Sequence, residues 1–483
     1  MPSVDDRQRS ARCLVGVVRQ VNPERERPAP FRPFLPGWSA RGHGCGWPGP
    51  GRDWKVVSPR LDPGRCPIPL LTSTSRTDTA LGNRRGAGCR SAAADTSTDG
   101  AAEEPGATAA LLTGSIGGGH DALAAACAAV LEDAGIRTHT IDVMGSLGRG
   151  SGAPRAADLA FRTLLSVTPL YDAFHFSQLR DGAALASAAE LAGVRRAVPA
   201  VARELELGLG DPPIDLALAV FATAAGVASR LKDAGLCRRT VVFVPDATAH
   251  RMWVHDNTDL FLVTSRLGAA SVRRYWPEAP VEILDPPLRA EFGDPPTRAD
   301  AREALGLPPG ADVVAIMGGA WGLAPVVDTA AMLADVGRHV LAVAGRNARR
   351  LHELRAAARH RPGLHPLGYC TNVAELMAAS DLVVTTAGMT CHEARAVGRG
   401  LVLLDVVPGH GRENLAHELE MGGAAVSQPD PPTLTRAVAA CLEDPELRCP
   451  ARIDSGGAGR RFLEALADLE ILPVGPRSPA RPA

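Results

Sequence analysis

Apolar positions along most of the chain alternate between short uninterrupted runs and longer amphipathic stretches. The first run, residues 107–113, stops at a glycine cluster. A stretch with helical apolar spacing follows at 121–134, and Gly135 supplies a helix stop. The next run, 138–143, completes a strand–helix–strand unit. Such a unit predicts a parallel sheet that binds ligands at the carboxyl ends of its strands.

The same alternation continues in two series. The first series has further runs at 214–220, 241–245 and 260–264. A proline-rich passage, 285–296, interrupts it and predicts an interdomain linker. Two doubly wound, Rossmann-like α/β domains facing a cleft are therefore predicted, and the cleft suits a nucleotide and a second substrate. The apolar runs of the second series are 313–317, 339–344, 381–385 and 401–406.

The domain organisation follows from these series. Residues 1–105 are rich in Pro, Gly, Arg and Ser and have no sustained period, which predicts a disordered extension. Two alternatives are a partner-binding segment built on its tryptophans and translated upstream sequence. The predicted domains are 106–295, expected to bind the second substrate (the acceptor), and 296–470, expected to bind the nucleotide-linked substrate (the donor). A disordered tail is predicted at 471–483.

Composition narrows the function. The net charge of -1 argues against a nucleic-acid partner. The ten cysteines contain no CxxC pair and no even, close spacing, so neither a zinc site nor a disulfide framework is indicated, and a reducing, cytoplasmic location is expected. No cofactor is expected. No apolar run approaches the roughly 18 to 20 residues of a membrane span, which leaves peripheral contact. The candidate for that contact is the aromatic-rich segment 159–179, with a core helix pair as the alternative.

Two loops of the first series carry candidate acceptor chemistry. The glycine loop 114–120 lies between a strand and a helix and ends on His120, whose imidazole is suited to act as a general base. The alternative is a helix-capping histidine. Polar and aromatic residues bunch directly after the run 241–245, where a solvated loop is the alternative. The candidate acceptor-binding residues are Gly118, Gly119, Asp246, His250 and Trp253.

Loops of the second series carry candidate donor chemistry. Their glycine turns could hold a diphosphate through backbone N–H groups, and Arg346 adds positive charge. Glu393, one turn into a predicted helix, could accept hydrogen bonds from two ribose hydroxyls. The candidate donor-binding residues are Gly318, Gly319, Gly345, Arg346, Asn347, Gly388, Met389, Thr390, Glu393, His410, Gly411 and Asn414.

Five segments taken together resemble the monogalactosyl- and processive glucosyl-diacylglycerol synthases: 114–120, 253–259, 345–347, 387–393 and 408–414. The resemblance spans residues 107–468. It implies a GT-B fold and inverting, metal-independent transfer of a hexose from a UDP-sugar to a diacylglycerol-type lipid. It also implies peripheral attachment at the inner face of the plasma membrane. On this resemblance His120 is similar to the family's base, Glu393 to its ribose ligand and Asn414 to a donor-sugar contact.

Two departures from the family pattern bear on the donor: the first on phosphate binding, and the second on which hexose is transferred. Many relatives read Lys-Pro-Gly-Gly-Leu-Thr at the nucleotide loop, whereas the segment 386–390 lacks the lysine and one glycine. Relatives often read Gly-Gln-Glu in the last loop, where this chain has Gly409, His410 and Gly411. The alternatives are a GT-B transferase of a soluble small molecule, a UDP-N-acetylglucosamine 2-epimerase and a non-catalytic sugar-nucleotide sensor.

Overall fold

The computed structural model describes residues 106–114, 118–146, 184–318, 326–407, 409–450, 452–453 and 456–471, with side chains of the helix at 184 described from residue 191. All of them belong to one compact unit of the chain, Ile68–Ala483. The predicted extension, the tail beyond Ile471, the candidate membrane segment 159–179 and Gly319 lie outside the described residues.

The first domain is built on one parallel, six-stranded sheet in the order β2-β1-β3-β4-β5-β6. The order reverses between β1 and β3, and open α/β sheets bind ligands at such a point. The strands are β1 (Thr108–Thr113), β2 (Arg137–Asp142), β3 (Ile214–Ala219), β4 (Cys237–Val244), β5 (Leu260–Val263) and β6 (Val281–Ile283). The helices are α1 (Gly118–Asp133), α2 (Val143–Ser146), α3 (Ala184–Leu209), α4 (Ala222–Asp233) and α5 (Arg266–Tyr275), with a 3-10 turn at Arg251–Trp253.

The second domain has a parallel, six-stranded sheet in the order β12-β11-β10-β7-β8-β9. This is the strand order of dinucleotide-binding folds, and it reverses between β7 and β10. The strands are β7 (Val313–Met317), β8 (His339–Val343), β9 (Leu364–Leu367), β10 (Leu382–Thr385), β11 (Gly400–Leu404) and β12 (Ala424–Ser427). The helices are α6 (Arg298–Ala304), α7 (Val326–Asp335), α8 (Ala348–Ala358), α9 (Val373–Ala379), α10 (Met389–Val397), α11 (His410–Glu420), α12 (Pro431–Glu443) and α13 (Pro445–Arg448).

The last described helix, α14 (Gly456–Ala467), returns to the first domain. Phe462 is fully buried and stacks on Phe243 of β4, with ring centroids 6.5 Å apart. Arg461 forms an ion pair with Asp285 of the interdomain linker at 3.1 Å. The two domains are therefore joined both by the linker and by this helix.

The predicted fold class is confirmed. Both sheets are parallel, helices alternate with the strands, and a proline-rich linker joins two Rossmann-like domains. This is the GT-B architecture that the family resemblance implies. The central strands coincide closely with the predicted apolar runs because they are buried on both faces.

A histidine pair in the second sheet predicts a pH-dependent stability. His339 of β8 and His365 of β9 stack, with Nδ1 of His339 3.1 Å from Nε2 of His365. Burial, reinforced by the charge of His339, lowers the pKa of His365 from 6.5 to about 4. The unfolded chain therefore takes up a proton at higher pH than the folded chain does, so stability is lost as the pH falls from 6.5 toward 4.

We expect the free energy of unfolding to fall by on the order of 1 kcal/mol over this pH window, allowing for solvent screening of the half-buried ring. Urea unfolding between pH 7.5 and 4.5 measures this loss. His365→Gln should flatten the pH dependence, whereas His360→Gln, at an exposed histidine, should not. The same slope in both variants would contradict the assignment.

Candidate active site

His120 lies in the first turn of α1, where the chain leaves β1 beside the reversal of strand order. Its Nδ1 is 2.6 Å from the carbonyl oxygen of Val220, at the end of β3. A carbonyl oxygen can only accept a hydrogen bond, so Nδ1 donates, and the lone pair of the neutral ring is on Nε2. The ring packs edge-on against Phe221, with centroids 5.2 Å apart. The structure thus fixes the tautomer and orientation that a general base needs.

The loop that carries His120 is packed closely at both ends. A Cβ on Gly114 would lie 2.4 Å from the ring of Phe221, so a larger residue there would displace that ring. A Cβ on Gly119 would lie 3.5 Å from Cγ of Met389, the first residue of α10 in the second domain. The amino-terminal turns of α1 and α10 therefore meet, and the acceptor and donor loops predicted from the sequence are neighbours.

The loop after β4 contacts the first turn of α11 in the other domain. The backbone N–H of Ala247 donates to Asn414 Oδ1 at 2.8 Å, and Asn414 Nδ2 donates to Asp246 Oδ1 at 2.9 Å. Thr248 Oγ1 donates to Glu413 Oε2 at 2.6 Å. Asp246, a candidate acceptor residue, and Asn414, a candidate donor residue, are thus in direct contact.

Asp246 is the electrostatic centre of this region. Burial by itself raises the pKa of its carboxyl, but the charges of His410 and His120, the hydrogen bond from Asn414 and the charge of His250 outweigh burial and lower the pKa below its ordinary value. Asp246 is therefore ionised at neutral pH. The charges of three histidines, which the sequence assigned to three different loops, act on this one carboxylate.

Trp253, a candidate acceptor-binding residue, lies in the 3-10 turn after β4. Its side chain is 1% exposed and lies in the core of the first domain. The ring is 6.3 Å from that of His120 and 6.2 Å from that of His250, measured between centroids. Trp253 therefore packs beneath the histidines, so its observed contacts are those of a supporting residue.

Glu393 lies in α10 with only 7% of its surface exposed. Arg289, in the interdomain linker, donates from Nη2 to Glu393 Oε1 at 3.1 Å. Burial raises the pKa of Glu393, and the charge and hydrogen bond of Arg289 counteract part of that rise. Sequence analysis missed Arg289; the only signal was its position within the proline-rich linker, two residues after Pro287.

The loop after β8 holds three further candidates. Gly345 has a φ of +59°, a left-handed conformation that favours glycine. Asn347 caps α8, its Oδ1 accepting from the backbone N–H of Arg350 at 3.0 Å. Arg346 stacks over the ring of Tyr369 at 4.6 Å from the centroid, in a cation–π contact. Tyr369, which sequence analysis missed, is 63% exposed and gives this loop an aromatic surface.

The remaining donor candidates lie at strand ends. Gly318 directly follows β7, and Gly388 and Thr390 lie at the start of α10. In the last loop a Cβ on Gly411 would lie 2.4 Å from Cβ of Val407, so this position presents backbone in place of the family's acidic side chain. His410 is the first residue of α11, and its charge lowers the pKa of Asp246.

The described residues show neither a metal-binding cluster nor a membrane-spanning helix. They hold no group of three or more His, Cys, Asp or Glu side chains arranged to bind a metal ion. None of the helices in the described ranges is long and apolar enough to cross a membrane.

Comparisons with known proteins agree with the motifs. No family model matches the chain. It is 30% identical over 206 residues to a processive diacylglycerol beta-glucosyltransferase of Bacillus pumilus, covering 42% of this chain and 54% of that protein. It is 27% identical over 256 residues to a probable chloroplastic monogalactosyldiacylglycerol synthase of Glycine max, covering 50% and 48%. Acinetobacter baumannii MurG, a solved structure, has 14% identity and a TM-score of 0.48, covering 75% of this chain and 100% of MurG.

The chain spans about half the length of the curated relatives it matches. The resemblance inferred from its motifs is confirmed: the chain is a relative of the monogalactosyldiacylglycerol synthases and the processive diacylglycerol glucosyltransferases.

Proposed function

We propose that the protein is an inverting glycosyltransferase that moves a hexose from a UDP-sugar to the hydroxyl of a diacylglycerol-type lipid, without a metal ion. The observation that carries this proposal is the position of His120. Its ring is oriented by Val220, and the turn that carries it faces the first turn of α10. The proposed base on one domain therefore lies near a helix N-terminus on the other, which supports transfer between two bound substrates.

The base acts on the acceptor. Nε2 of His120 takes the proton from the acceptor hydroxyl as its oxygen attacks the anomeric carbon of the donor sugar. The bond between that carbon and the diphosphate breaks, and its electron pair leaves with UDP. Attack from the face opposite the leaving group inverts the anomeric centre. His120 becomes positively charged in this step, and the negative charge of Asp246 stabilises it.

The second domain supplies the donor site. Backbone N–H groups at the start of α10 and the guanidinium of Arg346 offset the charge that develops on the departing diphosphate. Glu393 accepts hydrogen bonds from the ribose hydroxyls, and Asn414, already held by Asp246, contacts the donor sugar. Because Gly411 leaves no room for a side chain, fewer polar groups are available here to discriminate between hexoses.

Two observations support a lipid as the acceptor. Both curated relatives carry diacylglycerol in their names. The aromatic-rich segment 159–179 has the composition of an interfacial element, although it lies outside the described residues. We accordingly place the reaction at a membrane surface, with the enzyme attached peripherally at the inner face of the plasma membrane.

Asp246→Asn tests the electrostatic part of this mechanism. The asparagine amide oxygen can still accept from Asn414, and the Val220 carbonyl still fixes the tautomer of His120, so folding should be preserved. Loss of the negative charge is expected to lower kcat by about 10- to 100-fold. Steady-state kinetics measures this change, with the melting temperature as the control for folding. An unchanged kcat would show that the Asp246 charge takes no part in the reaction.

The overall proposal is tested by UDP release. The full chain is incubated with UDP-glucose, UDP-galactose or UDP-N-acetylglucosamine and phosphatidylcholine vesicles with or without diacylglycerol. We expect release with at least one donor, and only when diacylglycerol is present. Equal release with water-soluble acceptors would refute the lipid half of the proposal. No release with any donor would refute the transferase itself.

A further inference from the structure

Arg289 is fixed in the interdomain linker by contacts on several sides. It directly precedes the 3-10 turn Ala290–Phe292, and its Cζ lies 5.2 Å from the centroid of the Phe292 ring. Its Nη2 is 3.1 Å from Glu393 Oε1 and 3.3 Å from Glu291 Oε1. An arginine that is held at two carboxylates and one aromatic face has little freedom to move away from Glu393.

Among the described residues, only one oxygen of the Glu393 carboxylate has a hydrogen-bond partner. Oε1 accepts from Arg289, and within the described part of the chain no hydrogen bond reaches Oε2. The side chain is largely buried, but Oε2 is not among the fully enclosed polar atoms that lack a partner, so this oxygen is accessible to solvent or to a ligand. One oxygen is therefore anchored by the linker, and the other is left to accept from a ligand.

We propose that Arg289 is a positioning residue for nucleoside diphosphate binding: it orients the carboxylate of Glu393 so that the lone pairs not used by Arg289 accept from the vicinal hydroxyls of a ribose. This inference rests on the proposed function. It adds a requirement that is absent from the donor motifs, since Arg289 lies 104 residues before Glu393 and outside the second sheet.

The electrostatics agree with this role. Of the described groups, Arg289 and Glu291 are those whose charges act on Glu393, and they act in opposite directions. Burial and Glu291 both favour the protonated carboxyl, so removing Arg289 leaves nothing to oppose them. A protonated carboxyl accepts ribose hydroxyls less well, because one of its oxygens then carries a hydrogen.

The linker offers a matched control. Arg461 of α14 forms an ion pair with Asp285 at 3.1 Å. Asp285 lies four positions before Arg289 in the linker, and no hydrogen bond or ion pair joins Arg461 to Glu393 among the described residues. Arg461→Ala therefore removes a second, more exposed linker ion pair while leaving the proposed ribose contact intact.

The experiment is isothermal titration calorimetry of full-length wild type, Arg289→Ala, Arg289→Lys and Arg461→Ala with UDP and with 2′-deoxy-UDP. We expect Arg289→Ala to weaken UDP binding by about 10- to 100-fold, as for loss of a charge-assisted hydrogen bond. The loss should be several-fold smaller for 2′-deoxy-UDP, because that ligand lacks one of the two hydroxyls. Arg289→Lys should recover part of the affinity, and Arg461→Ala should bind both ligands as the wild type does.

A purely structural role predicts a different pattern. Equal losses for UDP and 2′-deoxy-UDP in Arg289→Ala, or no loss for either, would overturn the inference. If Arg289→Ala does not fold, as judged by circular dichroism, the losses of affinity for UDP and for 2′-deoxy-UDP are compared in Arg289→Lys instead. Equal losses there would overturn the inference in the same way. A wild-type protein that binds neither ligand would instead overturn the proposed function, and the role of Arg289 with it.

Discussion

Replacing His120 with alanine is expected to lower kcat by about 100- to 10,000-fold, the usual contribution of a positioned general base. The reason is specific to the geometry, since the Nδ1 hydrogen bond to Val220 leaves Nε2 as the only ring atom able to take a proton. UDP affinity should stay within about twofold, because the donor is bound by the other domain. Transfer kinetics and calorimetry with UDP measure the two quantities separately.

His352→Ala is the matched control for this variant. His352 is an exposed histidine of α8, away from the loops that carry Asp246 and His120, so its removal should leave kcat unchanged. An unchanged rate of transfer by the His120 variant would show that His120 is not the general base. A parallel loss of UDP binding would show that His120 supports the structure of the interdomain region, with no separate chemical role.

The second large effect is expected on stability, at Asp381. This carboxylate is fully buried at the start of β10. Its Oδ2 accepts from Arg302 Nη2 and from the backbone N–H of Val313, both at 2.8 Å. Arg448 and Arg298 reach Oδ1 at 2.9 and 3.2 Å. Asp381→Ala would leave Arg302, whose side chain is 5% exposed, without its counter-charge.

We expect Asp381→Ala to lower the free energy of unfolding by about 3–5 kcal/mol, the cost of breaking a buried ion pair on one side. Chemical denaturation measures this loss. Glu353→Ala, which removes an exposed pair with Arg349 on α8, should cause a change close to experimental error. Comparable losses in the two variants would contradict the view that Asp381 holds β10 to β7 and α6.

The sequence could predict the central strands because their chemistry is local. The run 313–317 coincides with β7, since every position of a strand buried on both faces favours an apolar residue. The strands β6, β9 and β12 escaped prediction because they lie at sheet edges or are only partly covered. β9, for example, includes a histidine and a proline and shows no apolar run.

The candidate site likewise has residues that the sequence could predict and contacts that it could not. His120 could be predicted because a glycine loop between a strand and a helix is a local pattern. The start of α1 was placed three residues late, at 121, because Gly118 and Gly119 have low helix propensity, which packing against Met389 overrides. The contact between Asp246 and Asn414 joins residues 168 positions apart and has no local signal. The same is true of the link from Arg289 to Glu393.

The central claim is transfer of a hexose to a diacylglycerol-type lipid, and its most direct test is the lipid product. Full-length protein is incubated with diacylglycerol vesicles and a UDP-sugar labelled in the hexose, and the label is followed into the chloroform-soluble fraction. We expect labelled glycosyl-diacylglycerol with inverted anomeric configuration from the wild type and at least 100-fold less from His120→Ala. Label that stays in the aqueous phase, or a product of retained configuration, would contradict the account.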